Sequence, residues 1–423
     1  MPQARDAVPL ARRTGGSADL RQGNLTQILR YVRDHGSSSR HDIAHGCGLG
    51  ISTMTDLIGE LRLRRLVKEL DPIRRPGAGR PTRPIALDGE PWCVFGLHVD
   101  FDRISFSAAT VGGRELWSDS VPIDLKAAGT EASQATIDEL LRTQVARIPT
   151  DKKLVAVEVG VPGYVASDRG TVSWSAALDW RDLPLGDLIA KTLAELGIDG
   201  VHVGISNDCH LAALHATRVE LDLLPDAIAT YLGGSRRVGS AVIIDGEIFR
   251  GANGAAGDFG HHNIEPEGPQ CWCGRRGCLH SLVGPARLLT GGGLMSPTEA
   301  ERLVDDHPDK AVQMLVDAAD AGDAAVLTAM AAAGEVLGGA IDDIIGLINP
   351  DAVILGGYLG VIGNHLLPTI EERLVVRRSI TTFAVTTVLT LQQMLPRVAA
   401  GAMLAARDAV LYDPLTLTSQ LET

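Results

Sequence analysis

The sequence predicts an α+β winged helix-turn-helix module over residues 21–88, followed by an α/β body of two lobes around a cleft. Three observations carry this reading. The first is a charge step: residues 1–88 hold 15 Lys/Arg against 9 Asp/Glu, a net of +6, while the remaining residues hold 24 against 43, a net of -19. A basic module on an acidic body is the asymmetry expected where one end approaches a polyanion, although a solvated basic tail gives the same charge count. The second is a change of apolar period near residue 92, from helical spacing to short buried runs. The third is a cluster of three cysteines in eight residues, Cys271, Cys273 and Cys278.

Composition bounds the rest. The 423 residues suit about two or three domains at roughly 150 residues each. The chain is 45% hydrophobic but only 4% aromatic, which fits an α/β scaffold and excludes a disordered chain. No uninterrupted apolar run approaches the roughly 18 residues of a membrane span. The most apolar stretch, residues 324–348, carries Glu335, Asp342 and Asp343. The first twenty residues lack the apolar segment of a secretory signal. A soluble, cytoplasmic chain without membrane partners is expected.

In chain order, residues 1–20 read as a flexible arm. Leu25, Ile28, Leu29 and Val32 then recur at helical spacing, with Gly36 as a stop. Ser39 suits the N-cap of a short second helix carrying Ile43 and Ala44. Gly46-Cys47-Gly48-Leu49 is a tight turn, and a third helix over residues 51–64 places Met54, Leu57, Ile58 and Leu61 on one face. Two short helices joined by a glycine turn form a helix-turn-helix pattern, for which a plain three-helix bundle is the alternative. The face opposite the apolar stripe holds Ile51, Ser52 and Thr55, positioned to meet base edges. Arg62, Arg64 and Arg65 could reach phosphates, and Ser39, Arg40, Arg74 and Arg75 are further DNA-contact candidates. Leu66-Val67-Lys68-Glu69-Leu70 reads as a wing strand, and residues 71–83 as a loop containing Gly79-Arg80-Pro81, whose Arg80 can enter a narrow minor groove.

The body opens with strands at Cys93-Val94-Phe95-Gly96-Leu97-His98-Val99 and Ile104-Ser105-Phe106-Ser107, then at residues 154–160, 201–205, 229–233, 240–244 and 351–355. Strands alternating with helices predict a parallel-rich sheet structure. The expected lobes are residues 89–205, joined by a C-terminal helix at about 395–412, and residues 206–394. Asn207-Asp208 falls where a strand ends and a helix begins, the place where open α/β sheets bind ligands; capping that helix is the commoner use of such residues. Cys271, Cys273 and Cys278, with His261 ten residues upstream of the first, make a Cys3His set, the ligand count of a closed structural zinc site. Reduced core cysteines and a Cys271–Cys273 redox pair are the alternatives.

On the winged helix with Gly79-Arg80-Pro81, on Gly257-Asp258-Phe259-Gly260-His261, and on the Cys-x-Cys-Gly-x-x-Gly-Cys run, the chain resembles the ROK family (repressors, open reading frames and sugar kinases), specifically its transcriptional-regulator branch. Asn207-Asp208 and Gly356-Gly357 support the resemblance, which spans roughly residues 22–410. It implies an actin-like, two-lobed sugar-kinase fold with ligand between the lobes, and a homodimer or homotetramer. It also implies a double-stranded operator DNA partner, a sugar or sugar-derived effector and structural zinc. By the same resemblance Asn207, Asp208, Asp258, His261 and His280 are ligand-binding candidates. Asp258 stands where the family has Glu, His280 where it has a second Glu, Ala177 where it has Asn, and His210 where a second Asn follows the Asn-Asp pair.

The family's kinases cradle ATP phosphates in two small-residue loops. The first corresponds here to His98, Val99, Asp100, Phe101 and Asp102, and the second to Ser235-Arg236-Arg237 before Val238-Gly239. Acids and a ring would repel and obstruct phosphates. The expectation is a repressor without enzymatic activity, a sugar kinase or a ligand-independent DNA-binding protein being the alternatives.

Overall fold

The computed structural model describes residues 17–73, 82–166, 170–381, 385–395 and 397–420. Helix α1 (Ser17–His35) starts earlier than the sequence suggested, so residues 17–20, read as part of a flexible arm, are helical. Its Leu25, Ile28, Leu29 and Val32 stripe is fully buried, and Gly36 ends it at φ 68°. Ser39 caps α2 (Arg40–Gly46), and Gly48 turns the chain at φ 63° into α3 (Ile51–Leu63). Met54, Leu57, Ile58 and Leu61 bury against α1 as their spacing predicts. The wing is β1 (Val67–Glu69) paired antiparallel with β2 (Ile85–Leu87).

This module does not close its own core. Its apolar residues run without a break into Trp92, Val94, Val155, Ala406, Val410 and Leu411 of the body. Trp92 seals the joint, fully buried, with its Nε1 donating to the Arg64 carbonyl at 2.9 Å.

The first body sheet comprises β3 (Trp92–Val99), β4 (Arg103–Thr110), β5 (Glu115–Pro122) and β6 (Lys153–Val161). A small antiparallel sheet of β7 (Tyr164–Ala166), β8 (Thr171–Ser175) and β9 (Trp180–Leu183) follows. Strand β10 (His202–Asn207) then completes the first sheet, in the order β10-β6-β3-β4-β5. The second sheet comprises β11 (Ala229–Gly233), β12 (Gly239–Ile244), β13 (Glu247–Ile248), β14 (Ala352–Leu355) and β15 (Thr387–Thr390), ordered β13-β12-β11-β14-β15. The two sheets share one plan: an antiparallel three-strand meander, then two strands parallel to its first member. Each is therefore mixed rather than parallel-rich, because each begins with hairpins that need no crossover helix.

The C-terminal helix Val398–Tyr412 lies across β3, β4 and β6 of the first sheet. Glycine makes that approach possible: a Cβ on Gly96 would stand 2.1 Å from the Ala399 carbonyl oxygen. The helix Ala324–Ile348 is the one described helix long and apolar enough to cross a membrane. Its Leu337, Ile341 and Ile344 instead sit in the core of the second lobe, with Ile370 and Leu374 of the helix Gly363–Ile380.

Candidate ligand cleft, metal centre and DNA reader

A cleft of about 1030 Å³ opens between the sheets, where the C-terminal end of β10 faces the β11–β12 turn. Asn207, Asp208, Asp258 and His261 all line it. Asn207 is also the helix cap: its Oδ1 accepts from the Cys209 and His210 amides at 2.9 and 3.3 Å, and its Nδ2 donates to the Gly163 carbonyl at 2.9 Å. Most of its hydrogen-bonding capacity is thus spent on the fold. Asp208 accepts from the Cys209 amide at 2.8 Å, and burial, reinforced by the Asp100 carboxylate, pushes its pKa up to about 7. A carboxyl so placed can accept or release a proton near neutrality.

Asp258 accepts a 2.5 Å hydrogen bond from Tyr164 Oη. Tyr164 stacks on Trp174, which meets Trp272, and the Trp272 ring stands edge-on to His261 at 4.6 Å between centroids. Tyr164 and Trp272 therefore give the cleft an aromatic wall that the sequence did not reveal. His280 does not line the cleft. Its Nε2 lies 3.0 Å from Cys271 Sγ, so this ring, expected to contact ligand, is turned into the cysteine cluster. Burial, with His261 and Arg237 adjacent, lowers its pKa to about 4 and keeps it neutral.

The ligand atoms of His261, Cys271, Cys273 and Cys278 lie within 4.8 Å of one another. Tetrahedral zinc, at about 2.3 Å to sulfur and 2.0–2.1 Å to nitrogen, requires edges of about 3.8 Å between sulfurs and about 3.6 Å from sulfur to nitrogen. Cys273 and Cys278 Sγ are 3.7 Å apart, and Cys271 Sγ is 3.6 Å from His261 Nδ1. The four residues fit a metal of that kind. Nε2 of His280 suits a hydrogen bond to the Cys271 sulfur, outside the four-residue set. Burial tends to raise the Cys273 pKa, but hydrogen bonding from Arg275 outweighs it and brings it down to about 7, favouring the thiolate a metal needs.

In the winged helix, Ile51, Ser52 and Thr55 are exposed on α3 beside one another. Thr55 Oγ1 donates back to the Ile51 carbonyl at 2.9 Å, so its hydroxyl is left as an acceptor. Ser39 is not free for DNA: it is buried, and its Oγ accepts from the Asp42 amide as the α2 cap. Arg64 is buried, with its Nη2 donating to Glu60 at 2.7 Å, and is not placed to reach phosphates, whereas Arg65 keeps more than half of its side chain exposed. Arg40 and Arg62 both pair with Glu69 at the base of the wing, and Arg83 lies 3.9 Å from the same carboxylate. Three guanidiniums on one carboxylate leave that corner net positive. Arg74, Arg75 and Arg80 lie outside the described residues.

The fold and cleft define a two-lobed sugar-kinase-like body carrying a winged-helix module. The ROK family model matches residues 124–407, two thirds of the chain, and the chain belongs to the ROK family. It is 25% identical to the xylose repressor of Caldicellulosiruptor bescii, over 85% of this chain and 88% of that protein. It is 28% identical to the glucokinase of Halalkalibacterium halodurans, over 66% of this chain and 84% of the enzyme. Among solved structures it resembles a ROK family transcriptional regulator, a homologue of the E. coli MLC protein. That match has a TM-score of 0.73 at 22% identity, covering 96% of this chain and all of the other.

Proposed function

We propose that this chain is a DNA-binding transcriptional repressor, acting in the cytoplasm, whose cleft takes a sugar or sugar-derived effector. The observation that carries the reading is the helix-turn-helix with an exposed Ile51-Ser52-Thr55 face, fastened through a shared core to a ligand-cleft body. Operator DNA would meet that face in the major groove, with Arg40, Arg62 and the wing arginines Arg74, Arg75 and Arg80 neutralising phosphates or entering the minor groove. Asp208, Asp258 and His261 would bind effector hydroxyls, Asn207 offering its remaining N–H. His261, Cys271, Cys273 and Cys278 would hold one structural zinc ion, which supplies a rigid cross-link; three thiolates and an imidazole leave no open position.

Two features argue against phosphoryl transfer. Phe101 and Arg236, one from each phosphate-loop position, meet face to face, with the guanidinium 3.1 Å from the ring centroid. Asp100 and Asp102 add negative charge where phosphates would lie. Self-association, as a dimer or tetramer, has a candidate surface in Leu347, Val376 and Ile380, large apolar side chains exposed by 77%, 67% and 75%.

Selection of bound fragments from sheared genomic DNA tests the reading. A shared inverted repeat, released steeply as salt rises, is the expected result. Failure of the metal-loaded chain to enrich any fragment at low salt would overturn it. The second reading, a sugar kinase, is favoured by one observation, the half-buried Asp208 poised near pH 7 in the cleft. ADP formation with any of a panel of hexoses would establish it.

A further inference from the structure

The reader and the cleft meet at a buried charge cluster behind the binding site. The helix Asp208–His215 starts at the cleft and continues through Ala216–Glu220, a π-helical turn closed by the Leu221 amide on the Ala216 carbonyl at 3.0 Å. Such turns recur at functional positions in helices. Arg218 sits on this turn, with its Nε donating to the Gly246 carbonyl at 2.9 Å and its Nη1 2.6 Å from Asp408 Oδ2. Asp408, on the C-terminal helix, presents its other oxygen to Nη1 of Arg33 on α1 at 3.0 Å. Glu247 on β13 completes the cluster: its Oε1 lies 3.4 Å from both Arg30 and Arg33, 3.7 Å from Arg218, and accepts from Tyr412 Oη. The side chains of Arg33 and Asp408 are only 4% and 8% exposed.

We propose that Asp408 is the positioning residue that ties the DNA reader to the ligand cleft, one carboxylate oxygen holding α1 through Arg33 and the other holding the end of the cleft helix through Arg218. This rests on the regulator reading for its purpose, but not for its geometry. Arg33 moves with the reader, which shares its core with the first sheet and the C-terminal helix. Glu247 belongs to the second sheet, and Arg218 is fastened beside it at Gly246. Any rotation of one sheet against the other, or sliding of the cleft helix, must therefore either carry α1 along or break the Arg33–Asp408–Arg218 pairs. Buried pairs that lose a partner are strongly unfavourable, so the cluster favours discrete arrangements over gradual drift. A signal beginning at Asp208 reaches α1 along one continuous helix and two ion pairs. Each step on that route is a direct bond, and whether its two ends move together is what measurement decides.

Amide hydrogen exchange on the full-length, metal-loaded protein tests this, because it reports local opening segment by segment. Arg218→Met removes only the cleft-side partner, which does not touch α1. The expected result is exchange at least tenfold faster in residues 28–35 of α1 as well as in residues 216–220, with α3 unchanged. Asp408→Asn should accelerate both segments, and Asp408→Glu, which keeps the charge, should accelerate them less. Arg218→Lys guards against simple misfolding and should give a smaller increase in the same two segments. Acceleration confined to residues 216–220 in Arg218→Met, or no change in Asp408→Asn, would overturn the proposal. Exchange is read without DNA, so a chain that selects no operator defeats the regulator reading while this result still decides the coupling.

Discussion

Asp208 holds a proton that a carboxyl in water would lose, and this has a consequence for stability. With a folded pKa near 7 against about 3.8 unfolded, the native chain binds the extra proton between those values. Stability from this group is therefore full at low pH and falls as pH rises towards 7. Asp208→Asn should gain on wild type by about 3 kcal/mol between pH 5 and pH 8, at 1.36 kcal/mol per unit. Urea unfolding of both proteins at the two pH values measures it, and parallel curves would show that Asp208 is already ionised at pH 5. The residues of this site were only partly legible. Asn207, Asp208, Asp258 and His261 carry motifs that a sequence displays. Tyr164 carries none, because it belongs to a separate segment that only the fold brings against Asp258, and Trp272 sits inside the Cys-x-Cys run, where the flanking cysteines gave no sign that the ring faces His261. His280 was misplaced for a different reason: its position after Cys278 suggested ligand, but its half-buried ring is turned to Cys271.

Elements were read well where one periodicity governed them and poorly where it did not. The stripes of α1 and α3 face one shared core, so helical spacing located both. Strand β5 escaped notice because it is an edge strand, mostly exposed, without a buried alternation. The C-terminal helix was foreseen, but its contact with α1 was not. Arg33 and Asp408 stand 375 residues apart, and no local pattern links them. Packing at this level gives two predictions. Gly96→Ala would drive a methyl into the Ala399 carbonyl and should cost about 1–3 kcal/mol or more, visible as a lower urea midpoint. Cys271→Ser removes one of four ligands; zinc measured by mass spectrometry should fall from about one per chain to near none. The melting temperature should fall with it, because metal binding energy is also folding energy. Retention of zinc by that variant would contradict the Cys3His assignment.

Across the whole molecule, two sheets of one plan face each other over a cleft, and the reader is built into one of them. A winged helix on a flexible tether would report only presence or absence; one that shares a core with the first sheet must follow it as a rigid piece. In a dimer, two such readers need a half-site spacing of about 34–36 Å, so a small rotation between lobes is enough to lose an operator. The exposed patch around Ile380 is the proposed contact between copies, and Ile380→Asp should shift sedimentation towards monomer while leaving the melting temperature within about two degrees. An unchanged oligomer would place the contact elsewhere.

The central claim is that α3 reads sequence, and fluorescence anisotropy on an operator recovered by selection tests it most directly. Wild-type protein should bind that DNA at least about a thousandfold more tightly than a scrambled duplex at physiological salt. Ser52→Ala with Thr55→Ala should remove much of this preference, at about 1–3 kcal/mol per lost base contact, while the salt dependence stays as it was. Equal affinity of wild type for operator and scrambled DNA, or a double variant that discriminates as well as wild type, would contradict the account.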